Sequence, residues 1–97
     1  MVIYLKKTKI RKLAQSMGYP VPALKDCIYK FYRGSEWFEF RFDSCEDWID
    51  YVKFYVNPTY MVVTKYRWYF DGIPSKELER KLYRGKEFLE LVNSISN

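Results

Sequence analysis

The sequence predicts a small α+β domain with the element order (β)-α-α-β-α-β-α. Three observations support this fold class. Two helical patterns flank the break "GYPVP" at 18–22. The stretch "EWFEFRF" alternates apolar and polar residues, which is typical of a half-buried strand. The later run "TYMVVTKYRWYF" is rich in β-branched and aromatic residues, which favour strands.

Composition indicates a globular chain that uses aromatic side chains for more than its core. The 97 residues are 48% hydrophobic and 30% charged, and we expect a single domain over 1–97. Aromatic residues reach 21%, which suggests a partner surface as well as a core. Residues 1–33 hold eight Lys/Arg and one Asp, whereas 34–72 hold four Lys/Arg and seven Asp/Glu. A basic first third is typical of a surface that binds a polyanion.

The residue inventory argues against catalysis. The chain has no histidine, which excludes imidazole metal sites and histidine general bases. Cys27 and Cys45 are too few for a disulfide framework or a thiolate zinc site, and both are predicted to be buried thiols in helices. No phosphate loop, dinucleotide fingerprint or nucleophile elbow is present. Four carboxylates at predicted strand ends could meet as metal ligands: Glu36, Glu39, Asp43 and Asp71. Acidic residues at strand ends are commonplace, however, and we therefore expect no enzyme, no cofactor and no metal.

Localisation follows from two further patterns. No apolar run approaches the roughly 18–20 residues of a membrane span. The start "MVIYLKKTK" places its charges after its apolar residues, the reverse of a signal peptide. We expect a cytoplasmic, intracellular protein.

The first half of the chain is predicted to be mostly helical. Residues 2–5 form a short strand or arm. A helix over 9–17 is indicated by one apolar face, formed by Ile10, Leu13, Ala14 and Met17. Gly18 ends this helix in the left-handed conformation. A second helix over 22–32 carries the apolar stripe Leu24, Cys27, Ile28 and Phe31.

The second half is predicted as a strand over 36–42, a helix over 44–56, a strand over 59–70 and a helix over 75–95. Ser44 caps the third helix, and Asn57-Pro58 ends it. Asp71-Gly72 is the turn before the last helix. That helix is indicated by the spacing of Leu78, Leu82, Leu89 and Val92, with Gly85 on the same seam.

Residues 8–33 satisfy the spacing of a helix-turn-helix. Ala14 provides a small residue where the helices meet, Gly18 permits the turn, and Leu24 anchors the second helix. The prolines push Tyr19 and Val21 out of helical conformation, as the motif requires. Together with the strand "WFEFRF" and the helix start "SCEDWIDYV", residues 8–56 resemble winged helix-turn-helix proteins of the excisionase and MerR-like type. The resemblance implies a winged-helix domain that regulates transcription.

On that interpretation the helix at 22–32 reads duplex DNA in the major groove. Its solvent face and the basic cluster before it supply the contacts to bases and phosphates. The predicted DNA-binding residues are Lys6, Lys7, Lys9, Arg11, Lys12, Ala23, Lys25, Asp26, Tyr29, Lys30 and Arg33.

Two alternatives stay open. The protein could be a small viral or mobile-element protein that binds and inhibits a host protein or nucleoprotein without reading DNA. Alternatively, an aromatic sheet surface could stack single-stranded bases, with Lys65 and Arg67 on the backbone. The candidate aromatic interface residues are Trp37, Tyr66, Trp68 and Tyr69. The 75–95 helix is amphipathic enough to form a homodimer.

Overall fold

The described part of the protein is a five-stranded antiparallel sheet with two helices on one face. The computed structural model describes residues 7–19 and 27–96. The elements are α1 (Lys7–Ser16), β1 (Cys27–Tyr32), β2 (Ser35–Ser44), β3 (Trp48–Val56), β4 (Tyr60–Tyr69), β5 (Lys76–Arg84) and α2 (Gly85–Ser96). The strands lie in chain order, β1-β2-β3-β4-β5, so that each pairs with its sequence neighbour.

The core lies between one sheet face and the two helices. Ile10 and Ala14 of α1 and Phe88 of α2 are buried against Phe38 and Phe54 of the central strands. Phe38 and Phe54 are direct cross-strand partners. Because side chains alternate along a strand, the residues between these core positions point to the opposite face of the sheet.

The winged-helix prediction is wrong, and so are its helix-turn-helix and wing. Residues 27–32 of the predicted recognition helix form β1, paired in register with β2. Its earlier part, 22–26, and the predicted strand at 2–5 lie outside the described residues. The stripe Leu24, Cys27, Ile28 and Phe31 fits a helix by spacing. The same stretch, "CIYKFY", is nevertheless rich in aromatic and β-branched residues that favour a strand.

The turn after β1 explains why this segment forms a hairpin. Arg33 and Gly34 have φ of 51° and 81°. Two central residues with positive φ define the tight turn whose twist matches that of paired antiparallel strands. "RGS" therefore joins two strands, and the prediction that it ends a helix is wrong.

The predicted helix over 44–56 is also wrong, so 36–70 is not a β-α-β unit. Residues 48–56 form the central strand β3, in which Asp50, Val52, Phe54 and Val56 alternate as its buried side. Trp48, Ile49, Val52 and Val56 also fit a helical stripe, so local spacing was ambiguous. Pairing on both sides, with β2 and β4, decides the outcome. Asn57 begins a hairpin turn, in which its side-chain Oδ1 accepts the backbone N–H of Tyr60 at 2.9 Å.

The helix predicted over 75–95 is confirmed only in its second half. Residues 76–84 form the edge strand β5, and α2 begins only at Gly85. Gly85 has φ of 60° and lies at this junction, not on a helical seam. "KELERKLYR" is made largely of good helix formers, but pairing along β4 overrides that propensity. The continuous 75–95 helix proposed as a dimer interface therefore does not exist.

Three predicted elements are confirmed. The helix predicted over 9–17 corresponds to α1, and Ile10, Leu13 and Ala14 are its buried residues. Gly18, with φ of 93°, follows it, and the backbone N–H of Tyr19 bonds to the carbonyl of Ala14 at 3.0 Å. This pattern is a Schellman cap. The strands predicted over 36–42 and 59–70 correspond to β2 and β4.

Candidate functional site

The sheet face opposite the helices is the most distinctive surface of the protein. We call it the open face, because both described helices pack on the other side. The strand registers assign its residues. Its aromatic members are Tyr32, Trp37, Tyr51, Tyr55, Tyr60, Tyr66 and Trp68. Its charged members are Lys30, Glu39, Arg41, Lys53, Glu77, Arg80 and Arg84.

The registers arrange these side chains in rows across the strands. One row runs from Lys30 through Trp37 and Tyr55 to Val62. The next row places Glu39 opposite Lys53. Directly opposed side chains in an antiparallel pair have Cβ atoms about 4.5–5.5 Å apart. The registers therefore bring Lys30 within contact distance of Trp37, and Lys53 within contact distance of Glu39.

The aromatic rings of the open face support one another. Trp37 and Tyr55 have ring centroids 4.9 Å apart, and Tyr55 lies 5.9 Å from Tyr60. The hydroxyls of Tyr55 and Ser35 are 3.1 Å apart. Tyr51 and Tyr66 are stacked, with centroids 5.3 Å apart and planes inclined by 12°. These contacts restrict the rings and form a platform.

A groove of about 620 Å³ crosses the β1 side of the open face. It is lined by Ile28, Lys30, Phe31, Tyr32, Trp37, Glu39 and Lys53. In the described part of the chain, Glu39 forms no ion pair with Lys30 or Lys53. Arg33 adds a further cation at the rim, 5.2 Å from the centre of the Tyr32 ring. The groove thus combines aromatic faces, cations and one carboxylate.

Tyr66 is a ring of the platform whose ionisation is opposed by its surroundings. Burial raises the pKa of the Tyr66 hydroxyl, and the nearby Glu39 carboxylate raises that pKa further. Both influences favour the neutral hydroxyl. Glu39 itself lines the groove and is partly exposed there.

The structure separates the predicted DNA-binding residues. Lys9, Arg11 and Lys12 lie on α1, and the α1 backbone begins at Lys7. Tyr29 and Lys30 are on β1, and Arg33 is in the turn that follows. The remaining predictions, Lys6, Ala23, Lys25 and Asp26, lie outside the described residues. No helix over 27–32 exists to present Tyr29 and Lys30 to a major groove. Of the two, Lys30 lies on the open face and Tyr29 on the opposite face.

The aromatic candidates divide between the two faces of the sheet. Trp37, Tyr66 and Trp68 are on the open face. Tyr69 pairs with Trp48 on the opposite face, together with Lys65 and Arg67, which were expected to accompany the aromatic surface. Alternation along β4 alone separates these cations from Tyr66 and Trp68. The cations of the open face come instead from β1, β2, β3 and β5.

Sequence reasoning missed Tyr51, Lys53 and Tyr55. All three lie in the segment predicted as a helix. The alternation of Ile49, Tyr51, Lys53 and Tyr55 was the signal that could have placed them on one strand face.

The four carboxylates that could meet as metal ligands do not converge in the structure. Glu36 is buried and accepts a hydrogen bond from the hydroxyl of Tyr29 at 2.8 Å, whereas Glu39 is on the other face of β2. Asp43 is at the end of β2, and Asp71 is in the β4–β5 turn. Within 7–19 and 27–96, no group of three or more potential ligand side chains could hold a metal ion. Cys27 is buried in β1, but Cys45 is exposed in a turn, not buried in a helix.

Neither helix of the described residues is both long and apolar enough to cross a membrane. The chain matches no protein-family model, no curated protein and no solved structure.

Proposed function

We propose that the protein binds single-stranded nucleic acid on the open face. The observation that supports this function is the interleaving of aromatic rings and cations on the one sheet face that neither described helix occupies. Five cations and two carboxylates give this face a net positive charge. Stacking of bases on rings, with cations along the backbone, is the general mode of single-strand recognition.

The row from Lys30 to Tyr55 shows how such binding would work. Trp37 offers a ring for base stacking, and Tyr55 supports it from the neighbouring strand. Lys30 lies beside Trp37 on one side, and Lys53 lies diagonally on the other. A single-stranded nucleic acid that crosses the groove would place a base on Trp37 and phosphates near the ammonium groups of Lys30 and Lys53. Paired bases in a duplex are stacked on each other, so they cannot reach the ring.

Fluorescence anisotropy with labelled oligonucleotides tests this function. We expect single-stranded RNA or DNA of mixed sequence to bind at low salt more tightly than a duplex of the same sequence. Trp37→Leu should weaken single-strand binding about tenfold, because a base–aromatic stack contributes roughly 1–3 kcal/mol. Phe70→Leu is the matched control, since Phe70 is an exposed ring in the β4–β5 turn. Separate RNA and DNA probes distinguish the two backbones.

No measurable binding of any single strand at low salt would overturn the proposal. Equal loss of affinity in Trp37→Leu and Phe70→Leu would also contradict it, because the effect would then not be specific to the platform. Circular dichroism establishes that both variants are folded.

A protein partner is the second candidate function, and an exposed apolar patch at the end of the sheet away from the groove favours it. Trp68, Phe70 and Ile73 are exposed at 42%, 53% and 52%, and the rings of Trp68 and Phe70 meet edge to face with centroids 4.9 Å apart. This patch is roughly 20 Å along the strands from Trp37. A pull-down after nuclease treatment tests this second function. We expect the wild-type protein to retain a host protein in stoichiometric amount, and the double variant Trp68→Ala with Phe70→Ala to lose it. The same double variant retains single-strand binding if the open-face groove acts alone.

A further inference from the structure

We propose that the groove on the open face is a base-specific subsite for guanine, in which Trp37 stacks the base and Glu39 accepts its Watson–Crick donors. The proposal rests on the proposed single-strand binding and adds the identity of one base. It is carried by a carboxylate that lies inside an otherwise cationic, aromatic groove.

The position of Glu39 relative to Trp37 is the first step of the argument. Both residues are on β2 and face the same groove, two positions apart. Alternate residues on a strand are separated by about 6.6 Å. A base centred on the Trp37 ring therefore directs one edge toward Glu39. Ile28, the cross-strand partner of Glu39 on β1, provides an apolar side to the same space.

The chemistry of the carboxylate selects the base. An ionised carboxylate only accepts hydrogen bonds, and it does so through two oxygens. Guanine presents two adjacent donors on its Watson–Crick edge, N1–H and N2–H₂. Adenine and cytosine present one donor beside an acceptor, and uracil and thymine present one donor between two acceptors. Only guanine satisfies both carboxylate oxygens without placing an acceptor against them.

The neighbours of Glu39 keep it available for this role. Among the described residues, no ion pair with Lys30 or Lys53 occupies the carboxylate. The two lysines are then left for the phosphates on either side of the base. A carboxylate in this position would oppose the binding of a polyanion unless it contributes to base recognition.

The test uses short uridine oligonucleotides that differ only in one central base. We expect guanosine at that position to bind about tenfold more tightly than adenosine, cytidine or uridine, the size of discrimination given by a bidentate base contact. Inosine keeps N1–H but lacks the N2 amino group, so its affinity should fall between those of guanosine and adenosine. Anisotropy measured with the wild-type protein gives all five values.

Glu39→Gln should abolish the preference for guanosine, and Glu46→Gln should retain it. Glu46 is exposed in the β2–β3 turn, so its substitution removes the same charge outside the groove. If Glu39→Gln does not fold, the comparison of guanosine with inosine in the wild-type protein still tests the proposal. Equal affinity for these two bases would show that the N2 amino group of guanine is not recognised.

The outcomes separate this inference from the function on which it rests. Equal affinity for all central bases overturns the guanine subsite but leaves single-strand binding intact. A preference for guanosine that Glu39→Gln retains also overturns it. Failure of every oligonucleotide to bind overturns the proposed function itself.

Discussion

The guanidinium of Arg67 forms a two-point contact with the carboxylate of Asp50. Arg67 Nε and Nη2 donate to the two oxygens at 2.7 and 3.1 Å. The residues are direct partners on β3 and β4, and Asp50 is only 3% exposed. The guanidinium also lies 3.8 Å from the centre of the Trp48 ring. Arg67 therefore links β3 and β4 on the helix-covered face, and it does not contribute a cation to the open face.

Asp50→Asn should lower the free energy of unfolding by about 1.5–3 kcal/mol, because it removes hydrogen bonds between charged groups at a buried position. Urea denaturation measures the change. Glu77→Gln is the control, since the pair of Glu77 with Arg80 is exposed and should contribute about 0.5 kcal/mol or less. Equal effects of the two substitutions would show that burial does not strengthen the Asp50 contact.

The junction between β5 and α2 gives a second prediction. Gly85 has φ of 60°, and a Cβ placed there would meet nothing within 4 Å. Gly85→Ala should therefore destabilise the protein by about 1 kcal/mol through backbone conformation alone. Gly85→Asn should cost less, because asparagine adopts this conformation more readily. Thermal denaturation of both variants distinguishes this cause from a steric one, which would penalise the larger asparagine more.

The hydroxyl of Tyr66 predicts a loss of stability at alkaline pH. Its pKa in the folded protein is raised above the ordinary value of 10.0, chiefly by burial. The unfolded chain releases this proton once the pH exceeds about 10, whereas the folded protein retains it. The stabilising contribution is thus complete below that pH and declines as the pH rises above it.

Tyr66→Phe should flatten this alkaline decline, because phenylalanine has no hydroxyl to ionise. Urea denaturation at several pH values from neutral upward gives the slopes. Identical slopes in the wild-type protein and Tyr66→Phe would show that Tyr66 titrates alike in both states.

Salt dependence gives a fourth prediction, which concerns binding. For a single strand, the slope of log affinity against log salt changes by about 0.7 for each phosphate contact. Lys30→Gln with Lys53→Gln should therefore reduce the magnitude of the slope by about 1.4. The control is the double variant Lys76→Gln with Lys86→Gln, which leaves the groove unchanged. Lys76 lies opposite Arg67 in the register of β5 with β4, on the helix-covered face of the sheet, and Lys86 lies on α2. A full slope in the first double variant would place the phosphates elsewhere.

Several features were readable from the sequence because they depend on neighbours along the chain. The 3.6-residue spacing of Ile10, Leu13 and Ala14 specified α1, and Gly18 specified its end. Strict alternation around Phe38 and Phe40 specified β2 and separated its buried face from Trp37. These patterns need no partner to be recognised, since the helix and strand periods differ clearly there.

Other features required the tertiary structure, because the local sequence fits two conformations. Val52 and Val56 suit both a helical stripe and a strand face, and pairing with β2 and β4 selects the strand. Leu78 and Leu82 lie among strong helix formers, yet this segment forms β5 because it pairs with the edge of β4. The open face depends on how the strands pair. The register of β2 with β3 brings Lys53 beside Trp37 and Glu39. Residue spacing within a single segment could not predict this proximity, because the residues belong to different strands.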